Sequence, residues 1–472
     1  MTQDKSEGSE SYVFQRTVSE VAPMLVDADG MYITYEDPKT KIRRTVIDAM
    51  TGAAVGSLGH KDKEVTTYMG DAAKNSFYSF GMYFSNYAAE ELSKFMIDRS
   101  PKGHFASALW VGSGSEANEN ALKIAKQYHN ERGDTKRYRF ISRKNAYHGF
   151  TIGALSVGDG VRKEDFKQIL LSDEQTPKVS ACNPYRGITD TVNEEQYTQQ
   201  LLKELEDCFI KNDPSTVCAV IFETVGGSSF GTVPPPKGYL DGARELCHKY
   251  GALFMLDEVM CGLGRSGHYH TYEKFMTSGN GPDLMTIGKT IGSGFVTLAG
   301  VLISPMVKNE IVSGSNAVSG AQTYHCHEFN CKIGLAVQKK ILRDNLVEKA
   351  AKVGQYMFDS IKEQLKDSKI VGDIRGLPLF FSLEFCDPVT KKSFPPEWKV
   401  SYKVSDKALE NGITTMGMQG TNGASKDDKG EVVGLGDHLS IAPAYIITMK
   451  EADIIIKDLV KAVKDTEAEL PL

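Results

Sequence analysis

Short apolar segments recur in the middle of the chain, and several of them end in a polar side chain that could carry out chemistry. Glu223 ends the segment CAVIFE, Asp257 follows ALFML, and Lys289 follows DLMTIG. In an open parallel sheet, ligands bind beyond the carboxyl ends of the strands. If these segments are strands of one sheet, we expect two carboxylates and an amine to lie along a single edge.

The stretch VGSGSEAN adds a different kind of group to that edge. Ser113 and Glu116 have the spacing of a capping box, which predicts that a helix begins here. Gly114 lets a ligand approach the backbone, and the free N–H groups of a helix N-terminus favour an anion. Gly114 and Ser115 are therefore candidate phosphate ligands, although an ordinary capped helix explains the same motif.

Lys289 lies in an apolar, glycine-rich segment and is the only charged residue between Met285 and Pro305. Removal from water lowers the pKa of a lysine and makes its neutral amine available to form a Schiff base with an aldehyde. The competing interpretation is a surface lysine, which is the commoner fate of this residue type.

Three further residues could hold a flat, protonated ring. Asp257 could accept a hydrogen bond from a heteroaromatic N–H⁺, or it could cap the turn after its strand. Tyr147 and His148 follow RYRFIS, where an aromatic side chain could stack on a ring or pack against the sheet edge. A phosphate site, a stacking aromatic residue, an acid and a desolvated lysine, in this order, together predict pyridoxal 5′-phosphate as cofactor.

Other ligand sites fit the sequence less well. Gly288-Lys289-Thr290 resembles the end of a P-loop, but Asp283 occupies the position of its first glycine. The run VGSGSEAN lacks the third glycine of a dinucleotide-binding motif. His325-Cys326-His327 does not have the spacing of a zinc site, so we predict no metal.

The composition argues against several classes of protein. The chain has 472 residues, with 55 Lys and Arg against 61 Asp and Glu, and the formal net charge of -6 does not suit a strongly basic nucleic-acid-binding surface. The longest apolar runs are too short to cross a bilayer. Eight scattered cysteines show no disulfide framework. We therefore expect a cytoplasmic protein without nucleic-acid or membrane partners.

The order of elements predicts an α/β fold. Apolar strands alternate with helical patterns through the middle of the chain, which indicates a mostly parallel central sheet with helices on both faces. We expect a smaller α+β domain built from both chain ends. The predicted division is a disordered tail over 1–10, small-domain segments over 11–80 and 331–472, and a large cofactor-binding domain over 81–330. One long helix is predicted after Asn330.

The sequence resembles the class III, or ω-type, aminotransferases, which have the pyridoxal-phosphate fold type I. The resemblance runs from about Val26 to the last helix. It rests on the stretches VGSGSEANENALKIAK, YHGFTIGALS, ETVGGSSFGTVPPPKGYL, LDEVMCGLGRSG, PDLMTIGKTIGSGF, AQTYHCHEFNC and VGDIRGLPLFFSLEF. The combination of LDEV-x-x-G-x-GR-x-G with a lysine about thirty residues later is highly specific.

The resemblance implies a role for individual residues. Lys289 matches the Schiff-base lysine, Asp257 matches the acid at the ring nitrogen, and Glu223 matches the acid beside it on the substrate side. Val259 and Tyr147 match the residues on the two faces of the ring.

The same resemblance extends to the phosphate and to a second subunit. Gly114 and Ser115 match phosphate ligands, and His148 lies beside Tyr147 in a matching stretch and is predicted to bind the cofactor with it. Thr323 matches the threonine that reaches the phosphate of a neighbouring subunit. This last role implies a homodimer with shared active sites.

The expected activity is the transfer of an amino group from an amine or ω-amino acid donor to a keto acid such as pyruvate. A decarboxylase, an aminomutase or a racemase on the same scaffold is the alternative, and a non-enzymatic binding protein that retains the fold is a third hypothesis. Met260 and Ser440 depart from common family residues, and the loop 411–425 contains no arginine. The residue that anchors a substrate carboxylate therefore stays unassigned.

Overall fold

The computed structural model describes residues 11–14, 18–419 and 436–472. The predicted tail over 1–10 and residues 420–425 of the arginine-free loop lie outside the described residues. The strands are β1 (Met24–Asp29), β2 (Tyr32–Glu36), β3 (Arg43–Asp48), β4 (Ser107–Val111), β5 (Arg139–Arg143), β6 (Lys178–Val179), β7 (Val217–Glu223), β8 (Leu253–Asp257), β9 (Leu284–Ile287), β10 (Ala299–Ile303), β11 (Val371–Leu377), β12 (Phe380–Phe385), β13 (Ile413–Thr414), β14 (Met416–Met418) and β15 (His438–Ile441).

Helices lie between and after these strands. They are α1 (Thr51–Ala54), α2 (Lys63–Lys74), α3 (Tyr87–Arg99), α4 (Gly114–Glu131), α5 (Ile152–Val157), α6 (Pro184–Gly187), α7 (Glu194–Lys211), α8 (Tyr239–Lys249), α9 (Tyr272–Phe275), α10 (Pro305–Ser313), α11 (Glu328–Arg343), α12 (Leu346–Gln364), α13 (Val400–Asn411) and α14 (Met449–Glu469). Short 3-10 helices cover Val161–Ile169, Pro214–Thr216, Lys289–Ile291 and Pro396–Trp398. None of the helices in the described ranges is long and apolar enough to span a membrane.

The central sheet has the strand order β4-β10-β9-β8-β7-β5-β6. The five strands from β9 to β6 in this order are parallel to one another. β10 runs antiparallel to both β9 and β4, so the central sheet is mostly but not wholly parallel, as the sequence predicts. The connection from Ile287 to Ala299 contains only the turn Lys289–Ile291, whereas a parallel crossover needs a longer connection, usually with a helix. β4 again points the same way as β9, so the strands before the candidate residues all end at one edge.

Helices cover both faces of this sheet. β7 is buried from Val217 to Phe222, and β8 and β9 are buried throughout. One face packs against α3, α7 and α8, and the other packs against α4 and α10. Complete burial of one large apolar side chain such as Phe222 contributes about 1.5–3 kcal/mol. This packing fixes the strand ends relative to one another.

The smaller part of the molecule is built from both chain ends, as the sequence predicts. Its sheets have the orders β1-β2-β3-β13 and β11-β12-β15-β14. Ile413 pairs in parallel with Ile47, and Ile47 shares one hydrophobic cluster with Phe381 and Leu459. The exact domain boundaries stay a prediction.

The long helix predicted after Asn330 is divided into α11 and α12. Asn345 separates them with a left-handed backbone, φ +52°, which asparagine tolerates better than most residues. The change of direction allows α11 to pack against α2 and α3 while α12 packs against α14. Helical periodicity continues across such a break, which is why the sequence does not show it.

Candidate active site

A cavity lies at the carboxyl edge of the central sheet, and the candidate residues open into it. Asp257 at the end of β8 pairs with Glu223 of β7 on one side and with Thr286 of β9 on the other. The register of three strands therefore sets their positions. The cavity is lined by Gly114, Ser115, Asn118, Tyr147, His148, Gly149, Glu223, Val225, Ser228, Asp257, Val259, Met260 and Lys289. The structure thus brings together every predicted site residue except Thr323.

Lys289 begins the turn after β9 with a strained backbone. Its φ is +47°, a left-handed conformation that costs a non-glycine residue roughly 1–2 kcal/mol. The amides of Gly292 and Ser293 donate to its carbonyl at 3.2 and 3.0 Å, which holds the turn in place. Burial lowers the pKa of the Lys289 amine, and the Asp257 carboxylate acts in the opposite direction. The amine is therefore positioned, and partly activated, as a nucleophile.

Asp257 is buried and held by three hydrogen bonds. The amide of Val259 donates to Oδ1 at 2.9 Å. The side-chain amide of Asn118 and Nδ1 of His148 donate to Oδ2 at 2.8 and 2.9 Å. An ionised carboxylate accepts about four hydrogen bonds. One acceptor position is left for a donor in the cavity, such as a protonated ring nitrogen.

Asn118 is a site residue that the sequence analysis missed. Besides Asp257, its amide donates to the carbonyl of His148 at 2.7 Å, and its oxygen accepts from the Thr286 hydroxyl at 2.9 Å. It lies one turn into α4 and is 1% exposed. The sequence does contain a signal for it, because Asn118 lies on the apolar face of the helix with Ala117 and Ala121. A buried amide on such a face needs polar partners.

Glu223 lies between the loop that follows β5 and the loop that follows its own strand, β7. Its carboxylate accepts from the amides of Tyr147 and Gly227, both at 3.4 Å. Burial raises the pKa of Glu223, and the Asp257 charge acts in the same direction, against the opposing effects of His148 and Arg143. Glu223 therefore holds a proton more readily than an exposed glutamate does.

The start of α4 supplies the anion-binding end of the cavity. Ser113 caps the helix by accepting from the Glu116 amide at 3.2 Å, and its hydroxyl donates to the Glu116 carboxylate at 3.0 Å. The first amides of a helix have no partner within it. The Ser115 hydroxyl accepts from the Phe150 amide at 3.0 Å, so its proton is available for a ligand.

Backbone approaches in this region are close. A Cβ atom at Gly114 would lie 2.6 Å from Cγ1 of Val259, and one at Gly149 would lie 2.5 Å from Oγ of Ser115. Gly149 also has φ +130°, which favours glycine. These residues fit a planar cofactor with a phosphate, because an amine, an open acceptor on Asp257 and an anion site share one cavity.

Thr323 lies apart from these residues within one chain. It is exposed and lines a separate cavity of about 610 Å³ with Gln322 and His325. Gln322 Nε2 donates to Glu116 at 3.4 Å, which places this loop against the outer side of the first turn of α4.

Comparisons with known proteins show the family of the chain. The family described as "Aminotransferase class-III" matches residues 13–463. A Schizosaccharomyces pombe protein named as an uncharacterized aminotransferase is 37% identical over 99% of this chain and 98% of its own. A Solanum lycopersicum protein named gamma aminobutyrate transaminase 3, chloroplastic, is 30% identical over 95% of this chain and 82% of its own.

Solved structures are also similar. The omega transaminase from Pseudomonas jessenii in complex with PMP has a TM-score of 0.85 and 26% identity, covering 95% of this chain and 93% of that chain. A transaminase described as obtained by ancestral reconstruction has a TM-score of 0.86 and 29% identity, covering 95% of this chain and 93% of its own.

Proposed function

The chain belongs to the class III aminotransferases, has their fold type I architecture and depends on pyridoxal 5′-phosphate, and from this premise we propose its donor class and the roles of its residues. It transfers the amino group of an amine or ω-amino acid to a keto acid such as pyruvate through a Schiff base at Lys289. One observation carries this proposal: Lys289, Asp257 and the anion site at Gly114 and Ser115 open into a single cavity.

Each residue has a distinct task. When bound, the cofactor supplies an aldehyde for the Lys289 amine and a ring that takes up the electron pair released at the substrate carbon. Asp257 accepts a hydrogen bond from the ring N–H⁺ and keeps it protonated. Lys289 Nζ then takes a proton from the donor carbon as a base and returns it as an acid.

The remaining lining residues bind and orient. The amides at Gly114 and the hydroxyl of Ser115 hold the phosphate. Tyr147 and Val259 enclose the ring. His148 orients Asp257 through its Nδ1–H, and Glu223 lies on the substrate side as a carboxyl group of raised pKa.

The assembly we propose is a homodimer with shared active sites. Thr323 is exposed, and the ring of its neighbour Tyr324 lies 6.3 Å from that of Tyr78. The adjoining segment exposes Phe77, Met82, Tyr83, Phe84 and Tyr87 by 68–88%. A contiguous apolar surface of this kind indicates a protein interface. Its position next to Thr323 supports the proposal that Thr323 binds the phosphate of a second copy. Light scattering of the purified protein tests this: a monomer contradicts it.

A reducing compartment such as the cytoplasm is the location we propose. All eight cysteines lie in the described ranges and have free thiols. Free cysteines of this number suit a compartment in which disulfides do not persist.

The activity is tested with the purified holoenzyme and panels of α-amino acids, ω-amino acids and simple amines. A transaminase consumes one keto acid for each amine converted. Product formation that depends on pyruvate or another keto acid supports the proposal. Continuous release of carbon dioxide, rearrangement or racemisation without an acceptor would contradict it and favour the decarboxylase, aminomutase or racemase.

A further inference from the structure

Arg162 lies beside the cavity that holds Lys289, and its contacts leave much of its donor capacity unused. Its guanidinium carbon is 4.5 Å from the centroid of the Tyr147 ring. Nη1 donates to Oγ of Ser229 at 3.0 Å, and Nη2 donates to Sδ of Met418 at 3.8 Å. A guanidinium has five N–H donors, and a thioether is a weak acceptor. Within the described ranges no carboxylate forms an ion pair with it.

Ser228 supplies a second unused donor at the same place. Its hydroxyl oxygen is buried and has no hydrogen-bond partner among the described residues, and the residue lines the cavity with Lys289. The next residue, Ser229, is the one that accepts from Arg162. Because buried polar groups are normally hydrogen-bonded, an unpaired hydroxyl in a ligand cavity indicates where a polar ligand atom binds.

Two buried arginines show what a structural role looks like here, whereas Arg162 is partly exposed. Arg143 donates to the carbonyl of Glu223, and Arg265 donates to the carbonyl of Pro443. Both are used to tie backbone segments together. Among the described residues, Arg162 donates only to a side-chain hydroxyl and a thioether sulfur, so its charge is available for an anion.

The geometry points to Arg162 and Ser228 as the anchor for the distal carboxylate of an ω-amino acid donor, an inference that rests on the proposed function. Tyr147 lines the cavity. Arg162 does not line it but lies against the ring of Tyr147. A carboxylate on the reacting carbon would stay next to Lys289, whereas one several bonds from the amine would extend toward Tyr147 and the guanidinium that lies over its ring. Arginine pairs with a carboxylate through two parallel hydrogen bonds.

Glu223, the last residue of β7, is an acid that lines the same cavity. Its carboxyl group accepts from the amide of Gly227, in the loop that carries Ser228. Burial raises the pKa of Glu223, which reduces the negative charge that would repel the substrate.

The test compares 4-aminobutyrate with butylamine, which has the same amine and chain length but no carboxylate. KM and kcat are obtained from steady-state rates with each amine and a saturating keto acid in wild type, Arg162→Gln, Arg162→Lys and Ser228→Ala. Loss of the cofactor's visible band reports the amine half-reaction of the same proteins. Arg99→Gln is the control, because Arg99 also lies over a ring, that of Phe95, but on the exposed end of α3. Arg162→Gln is expected to raise the KM for 4-aminobutyrate about tenfold to hundredfold, the effect of losing a charge-assisted pair. The KM for butylamine and both kcat values stay near those of wild type.

The remaining variants separate recognition from structure. Arg162→Lys restores part of the loss, and Ser228→Ala raises the KM for 4-aminobutyrate alone by about threefold to tenfold. Equal effects on both amines, or no effect on either, overturn the inference. If Arg162→Gln does not fold, Arg162→Lys and Ser228→Ala test the inference in its place. A selective loss with 4-aminobutyrate supports it, and equal effects on both amines overturn it. A wild type that converts butylamine but not 4-aminobutyrate also overturns it and leaves the transaminase assignment intact, whereas a wild type that converts no amine contradicts the proposed function itself.

Discussion

Nδ1 of His148 lies 2.9 Å from Oδ2 of Asp257, and both side chains are buried. The same carboxylate oxygen accepts from Asn118, and the other accepts from the Val259 amide. Groups from α4, from the loop after β5 and from the end of β8 therefore fix one carboxylate in one orientation. A cofactor ring that uses the remaining acceptor position has its nitrogen placed by the fold before it binds.

Replacing Asp257 tests that electrostatic role. Asp257→Asn keeps the shape but removes the negative charge that holds a ring nitrogen protonated. We expect the variant to bind cofactor and to lose roughly 10²-fold or more in the rate of the amine half-reaction. Stopped-flow measurement of that half-reaction is the check, and a rate close to that of wild type contradicts the role.

Thr286→Val tests the support beneath the site. The change removes the hydroxyl that donates to Asn118 at 2.9 Å and leaves the buried amide oxygen without this donor. The expected cost is about 1–3 kcal/mol of stability, seen as a lower thermal midpoint of the holoenzyme. Thr198→Val is a matched control: its hydroxyl donates to a backbone carbonyl at 3.1 Å far along the chain from the site. A larger fall in half-reaction rate for Thr286→Val than for Thr198→Val is also expected.

Gly114→Ala tests the close approach of α4 to β8. Its new Cβ would lie 2.6 Å from Val259, so the helix N-terminus must shift and the affinity for cofactor falls. Shortening the neighbour in the double variant Gly114→Ala/Val259→Ala relieves the contact. Titration with pyridoxal phosphate should show a weaker Kd for the single variant and partial recovery for the double. If the double variant loses the summed affinity of the two single changes, the contact between position 114 and Val259 is not the cause of the weaker cofactor binding.

Glu258 makes stability depend on pH. Burial raises its pKa from 4.5 to about 7, although the amides of Thr271 and Tyr272 donate to it. A group whose pKa is raised by folding contributes stability that is complete below pH 4.5 and is lost as the pH rises through about 7. The thermal midpoint of wild type, relative to that of Glu258→Gln, should therefore be higher at pH 5 than at pH 8. A difference independent of pH contradicts this assignment.

The chemistry-bearing residues could be predicted because they end apolar strands. Glu223, Asp257 and Lys289 follow buried segments whose direction in a parallel sheet is set by simple rules. The reversal of β10 was hidden, because an apolar strand has the same composition in either direction. Asn118, Ser228 and Arg162 were also missed, since their importance lies in contacts between segments distant in sequence.

We propose that the amine of Lys289 binds the cofactor's aldehyde while Asp257 holds its ring. The most direct measurement is reduction of the holoenzyme with borohydride, which fixes the cofactor to the amine that holds it, followed by peptide mapping. We expect one labelled lysine, Lys289, in the wild type and no label there in Lys289→Ala. Labelling of a different lysine in the wild type, or of none, would contradict it.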